Sequence, residues 1–162
     1  MSGAKQSAGV LVWRRSATGA LEVLLVHPGG PYFAKKDAGA WSIPKGELDG
    51  EPPWSEAERK ACALRELTEE TGLTVDGRLS ALGAVRLKSG KLIHGYAAQS
   101  EIPPGFVAVS NTFELEWPPR SGRRVAFPEV DRAEVFGVEA ARAKLNPAQV
   151  AFLDRLVELV TA

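Results

Sequence analysis

Cysteine is nearly missing from this chain. Cys62 is the single one, so no internal disulfide forms and the sequence fits a reducing compartment. Long apolar runs are missing too, and none approaches the ~20 residues that a membrane-spanning helix requires. The first residues, Met1 to Ala8, are small and polar and lack the apolar stretch of a secretion signal. An excess of either charge sign is also lacking, since twenty Lys+Arg stand against twenty Asp+Glu. That balance argues against a protein that coats nucleic acid or an anionic membrane, while leaving room for a local basic patch. No internal repeat, low-complexity tract or Ser/Gly linker marks a domain boundary. What remains is 162 residues, 44% of them hydrophobic, and a domain of this size buries roughly 68–70% of its unfolded surface. The expectation is one soluble, cytoplasmic domain over residues 1–162.

The chain alternates strand-like and helix-like segments. Val10 to Arg15 and Leu21 to His27, separated by the turn composition Ser16-Ala17-Thr18-Gly19, predict a hairpin. Pro28-Gly29-Gly30-Pro31 ends the second strand. A polar loop follows to Ala40, then a short apolar element, Trp41 to Ile43, stopped by Pro44. Ser55 to Thr71 predicts a helix: Ser55 as N-cap, Glu58 in capping-box position, Ala63, Leu64 and Leu67 as apolar stripe, Gly72 as stop. Strands are expected at Leu79 to Lys88 and Leu92 to Ser100. Another is expected where Phe113, Leu115 and Trp117 alternate with Glu114 and Glu116, and a further one at Val130 to Val138. Asn146-Pro147 opens a C-terminal helix over 147–161, with Val150, Leu153, Leu156, Val157 and Val160 on one side. The class is α/β or α+β.

Glu66, Glu69 and Glu70 carry the chemical signal. Positions i, i+3 and i+4 share one helix face, and three carboxylates there repel one another unless a cation compensates. Such hard oxygen ligands suit Mg²⁺ or Mn²⁺. Taken alone, the triplet reads first as a solvated acidic face balanced by Lys60 and Arg65, since charged helix faces are usually just solvated. Its surroundings change that balance: Trp41-Ser42-Ile43-Pro44-Lys45-Gly46-Glu47 stands before the helix and Thr71-Gly72-Leu73 after it.

The segment Arg65-Glu66-Leu67-Thr68-Glu69-Glu70-Thr71-Gly72-Leu73 resembles the second half of the Nudix box at each of its seven fixed positions. The preceding Ile-Pro-Lys-Gly-Glu is similar to a loop that many Nudix hydrolases carry there. The first half departs from the pattern, because Arg65 stands nineteen positions after Gly46, five more than the family places between them. The extra residues fall within Leu48 to Lys60, with Pro52-Pro53 as the place where a helix cannot continue, so an enlarged loop over Leu48 to Trp54 is expected. Six residues after Gly46 stands Pro52 and eight before Arg65 stands Ala57, so neither register supplies the box's first glutamate; Glu51, Glu56 and Glu58 each stand as substitutes, Glu58 on the stripe of Cys62 and Arg65.

The resemblance implies a Nudix-type mixed β-sheet sandwiched between α-helices, with the box region at 46–73. It implies a hydrolase that uses Mg²⁺ or Mn²⁺ to cleave a phosphoanhydride in a small nucleotide-type substrate, with nucleoside or dinucleoside polyphosphates preferred. Nucleotide sugars and ADP-ribose stand as alternatives, as does a nucleotide sensor without catalysis. No membrane or stable nucleic-acid partner is expected. By position, Glu66, Glu69 and Glu70 are catalytic and metal-binding, Glu66 doubles as a base, the Gly46 carbonyl adds a metal ligand, and Lys45 meets substrate phosphate. Arg65, Gly46 and Gly72 shape the box, and Arg65 braces the loop and acids. Glu114 and Glu116 are candidates for an additional base or ligand. His27 and His94, the basic stretch Arg120, Arg123 and Arg124, and Trp13, Trp41, Trp54 and Trp117 have readings both as substrate contacts and as ordinary structure. Cys62 reads as helix filling rather than a nucleophile.

Overall fold

A computed structural model of the protein describes residues 5–161; residues 1–4, the start of the polar N-terminal stretch, and residue 162 lie outside the described residues. Strand β1 (Gln6–Arg15) organises the sheet. At its end it turns through Ser16 and Gly19 into β2 (Leu21–Pro28), pairing antiparallel from Trp13↔Val23 to Arg15↔Leu21. At its beginning the same edge takes the short β3 (Lys45–Glu47), antiparallel from Ser7↔Glu47 to Gly9↔Lys45. The other edge runs parallel to β5 (Leu92–Gln99) along its length. With β4 (Ser80–Arg86) beyond β5 and β8 (Val130–Gly137) beyond β2, the order is β4-β5-β1-β2-β8. The hairpin of β6 (Thr112–Glu116) and β7 (Arg124–Pro128) forms a separate two-stranded sheet.

Period-two alternation sorts the strand residues between two layers. Ala8, Val10, Val12 and Leu24 bury against Cys62, Ala63 and Leu67 of α1 (Glu56–Thr71). Leu11, Val23 and Leu25 face Ala141 of α2 (Val138–Lys144) and Phe152, Leu153 and Leu156 of α3 (Val150–Thr161). A mixed sheet between helices is the architecture the sequence led us to expect. No helix among the described residues is long and apolar enough to cross a membrane.

Local chemistry explains where the helices start. Ser55 accepts a hydrogen bond from the Glu58 N–H at 3.1 Å, and Glu58 accepts from the Ser55 N–H at 2.9 Å, a complete capping box. Asn146 accepts from the Ala148 N–H at 3.0 Å, ahead of a 3₁₀ turn at Pro147–Gln149 that leads into α3. The structure amends the expected stripe of that helix. Phe152, which the expected stripe left out, is fully buried, while Val150, Val157 and Val160 are only half-buried. Strands β3 and β7 and helix α2 had no counterpart in the sequence reading; three, five and seven residues are too few to establish a period.

Candidate active site

Strand β3 and helix α1 bring the two parts of the motif together. The extra residues form the loop between Leu48 and Ser55, so α1 begins only at Glu56 and its acids keep their phase relative to Gly46. A Cβ added to Gly46 would lie 2.0 Å from Cδ of Glu66, so only glycine lets the β3 backbone approach that carboxylate. Beside it, the backbone N–H of Lys45 donates to Glu70 Oε1 at 3.3 Å. The Gly46 carbonyl meets the Cys62 thiol, one helical turn before Glu66, at 3.7 Å. At the far end, Gly72 takes φ of 82° and its N–H closes on the Thr68 carbonyl at 2.8 Å, a left-handed cap that a side chain would strain.

Arg65 connects the acids to the enlarged loop. Its guanidinium lies 3.2 Å from Asp49, 3.6 Å from Glu66 and 3.9 Å from Glu69. Asp49, which was not among the sequence candidates for the box's first glutamate, is the loop carboxylate beside the arginine. Glu58 is occupied in the capping box, Glu56 accepts from the Tyr96 hydroxyl, and Glu51 is exposed. Trp54 closes the loop by donating from Nε1 to the Asp49 carbonyl at 2.6 Å.

Crowding dominates the electrostatics. Burial pushes the Glu70 carboxyl up to about 8, and the carboxylates of Glu66 and Glu129 add to the rise against the lowering effect of Lys45. Burial likewise raises Glu66, helped by Glu69 and Glu129. Glu129, between β7 and β8, escaped the sequence reading. Its approach to α1 depends on how three segments meet, which leaves no local pattern. The candidates for that outside position, Glu114 and Glu116, stand exposed on the hairpin, where Glu114 pairs with Arg124 at 3.1 Å and Glu116 accepts from the Gly122 N–H at 2.8 Å. Glu129 is an outside carboxylate whose charge helps raise both Glu66 and Glu70. Lys45 is half-buried; burial and neighbouring Lys91 hold its ammonium below the usual lysine range. Burial pushes the Cys62 thiol up, which suits filling rather than nucleophilic chemistry.

Among the described residues, no three His, Cys, Asp or Glu side chains converge on a common point ready for a metal ion. Arg65 and the Lys45 N–H hold the carboxylates along α1 instead. The donor chemistry nevertheless fits a hard divalent cation: the carboxylates of Glu66, Glu69, Glu70 and Glu129 and the Gly46 carbonyl offer only oxygen. The remaining candidates make contacts of their own. His94 meets Gln6 at 2.7 Å, and Trp13 is half-buried under Arg15. Trp41 is 1% exposed, and Arg120 and Arg123 sit exposed toward the tip of the β6–β7 hairpin.

Comparison with known proteins gives a consistent outcome. The family model described as NUDIX domain matches residues 4–156. Among solved structures, an Ap4A hydrolase of C. elegans in a binary complex superposes with a TM-score of 0.65 at 18% identity, over 96% of this chain and 98% of that one. The NUDIX domain of Shewanella oneidensis NrtR complexed with ADP ribose gives 0.63 at 15% identity, over 99% and 90%. A mutT/nudix family protein from Listeria innocua gives 0.62 at 18% identity, over 99% and 96%. Comparison with curated proteins finds no match.

Proposed function

The chain belongs to the Nudix family, and from that premise we propose that it is a divalent-metal-dependent pyrophosphohydrolase acting on nucleoside or dinucleoside polyphosphates. The observation that carries this reading is the intact acidic face of α1, with Glu66 set against the glycine backbone at Gly46. A divalent cation, when bound, neutralises phosphate charge and acidifies water. Glu66, Glu69, Glu70 and the Gly46 carbonyl are the groups that would hold it. Arg65 orients two of those acids and tethers Asp49, so the enlarged loop and the acidic face are positioned together. Lys45 fixes Glu70 through its backbone N–H and adds positive charge beside the phosphate path.

Attack of water on phosphorus forms one P–O bond as the bridging P–O bond breaks; the leaving phosphate or nucleotide departs as an anion, and the attacking water gives up a proton. Glu66, besides holding the cation, and Glu129 are the carboxylates to which we assign its acceptance. This assignment follows position and charge proximity. The similarity to an ADP-ribose-bound NUDIX domain favours ADP-ribose as the second substrate to try. A sensor without catalysis has no use for the full acidic face. The test is a panel of ATP, GTP, diadenosine tetraphosphate, ADP-ribose and a nucleotide sugar with Mg²⁺, scored by product identity. Turnover of the polyphosphates is the expected result, and inactivity across the panel overturns the proposal.

A further inference from the structure

Few large apolar side chains among the described residues are exposed, and two of them, Tyr32 at 59% and Phe33 at 38%, are neighbours on the loop after β2. Exposure alone assigns nothing. The loop, however, is firmly built. His27, fully buried, meets Asp131 Oδ1 through Nδ1 at 2.7 Å and the Lys36 carbonyl through Nε2 at 2.6 Å. Trp41 Nε1 donates to Asp37 at 2.8 Å, and Lys144 pairs with the same carboxylate. Tyr32 is therefore displayed from a fixed scaffold.

Its partner comes from the other side. Trp117, at the end of β6, meets the Tyr32 ring edge to face, with centroids 5.5 Å apart and planes at 79°. The loop is seated on the same hairpin, because a Cβ at Gly30 would lie 2.9 Å from the Phe113 ring. Next to it, the Gly29 N–H donates to the Glu129 carbonyl at 2.9 Å. Glu129 in turn donates its N–H to the Asn111 carbonyl at 2.9 Å, and the Asn111 N–H donates to the Glu69 carbonyl at 3.1 Å, so backbone hydrogen bonds tie the loop that carries Tyr32 to the acid-bearing helix. Exposed Lys35 and Lys36 lie on the loop and exposed Arg120 and Arg123 on the hairpin. Aromatic faces between cations and an acidic metal face match a ligand with a planar ring at one end and phosphates at the other.

We propose that Tyr32, braced by Trp117, seats the nucleobase of the substrate beside the acidic face. The proposal rests on the hydrolase reading above and names the part of the substrate that this loop and hairpin select: an aromatic base, in preference to a base-free phosphate ester. The test uses ligands without an anhydride, so it does not depend on hydrolysis. AMP, GMP and ribose 5-phosphate are titrated against the full chain by calorimetry, using the unchanged protein, Tyr32→Ala and Tyr32→Phe, each checked for folding by circular dichroism. The unchanged protein should bind the nucleotides about tenfold or more tightly than ribose 5-phosphate. Tyr32→Ala should remove most of that preference, Tyr32→Phe should keep it, and ribose 5-phosphate should bind all three alike. Equal binding of nucleotide and ribose 5-phosphate, or a folded Tyr32→Ala protein with the preference intact, overturns the proposal. Failure of the hydrolase reading shows separately, as absence of Mg²⁺-dependent turnover with the base preference retained.

Discussion

Gly46 and Glu66 meet so closely that one methyl group separates a working arrangement from a displaced one. Gly46→Ala would place its Cβ 2.0 Å from Glu66 Cδ, so the carboxylate or β3 must move. Overpacking of this kind costs about 1–3 kcal/mol, and misplacing a ligand near the chemistry lowers rate about 100-fold. Thermal unfolding and kcat/KM on whichever nucleotide of the panel is turned over should show a modest stability loss beside a large activity loss. Unchanged activity would mean that this approach does not matter.

The acids also predict a dependence on pH. Glu70 is held up to about 8 against its ordinary 4.5, and Glu66 is raised too. A carboxyl that holds its proton more tightly folded than unfolded contributes stability below the unfolded value, and this is lost as pH climbs through the folded one. In EDTA, Glu70→Gln should therefore flatten the fall in melting temperature between pH 5 and pH 8 seen in the unchanged protein. Because a cation competes with these protons, Mg²⁺ should raise the melting temperature more at pH 8 than at pH 6. An equal or larger rise at pH 6 contradicts the assignment. The three helix acids were legible from their spacing and flanking glycines. Asp49 and Glu129 were not, because their relation to Arg65 and to the acids is made by tertiary contact rather than by any local period.

Helix α1 shows why one element was readable from end to end. Its capping box and its left-handed Gly72 terminus are each set by residues a few positions apart, so short-range chemistry fixes both boundaries. Pro52-Pro53 kept the extra residues outside it for the same reason. Ser55→Ala removes one half of the box and should cost about 1 kcal/mol, lowering the melting temperature by about 2–4 °C in a chain of this size. Most activity should remain, because Glu66, Glu69 and Glu70 lie beyond the first two turns. Loss of activity without loss of stability would place the N-terminal turn in the site itself. Strand β7 and helix α2 lacked such punctuation. Arg120, Arg123 and Arg124 read as one basic stretch in sequence, whereas Arg124 already belongs to a strand opposite Glu116.

At the scale of the molecule, one sheet buries a different apolar set on each face and holds the acid-bearing helix against β1 and β3. The shared edge of β1 is the organising feature. β2 takes its end and β3 its beginning, which leaves the loop after β2 free to reach the β6–β7 hairpin and places β3 beneath Glu66. This long-range division of an edge could not be read from strand periodicity, although the layered class could. The central claim is that the acidic face of α1 performs metal-dependent hydrolysis. Its most direct measurement is product release from a nucleoside polyphosphate with Mg²⁺, comparing the unchanged chain with the Glu69→Gln/Glu70→Gln double variant. We predict that turnover falls by orders of magnitude in the variant while cooperative thermal unfolding is retained; a folded double variant that hydrolyses at near the original rate contradicts the account.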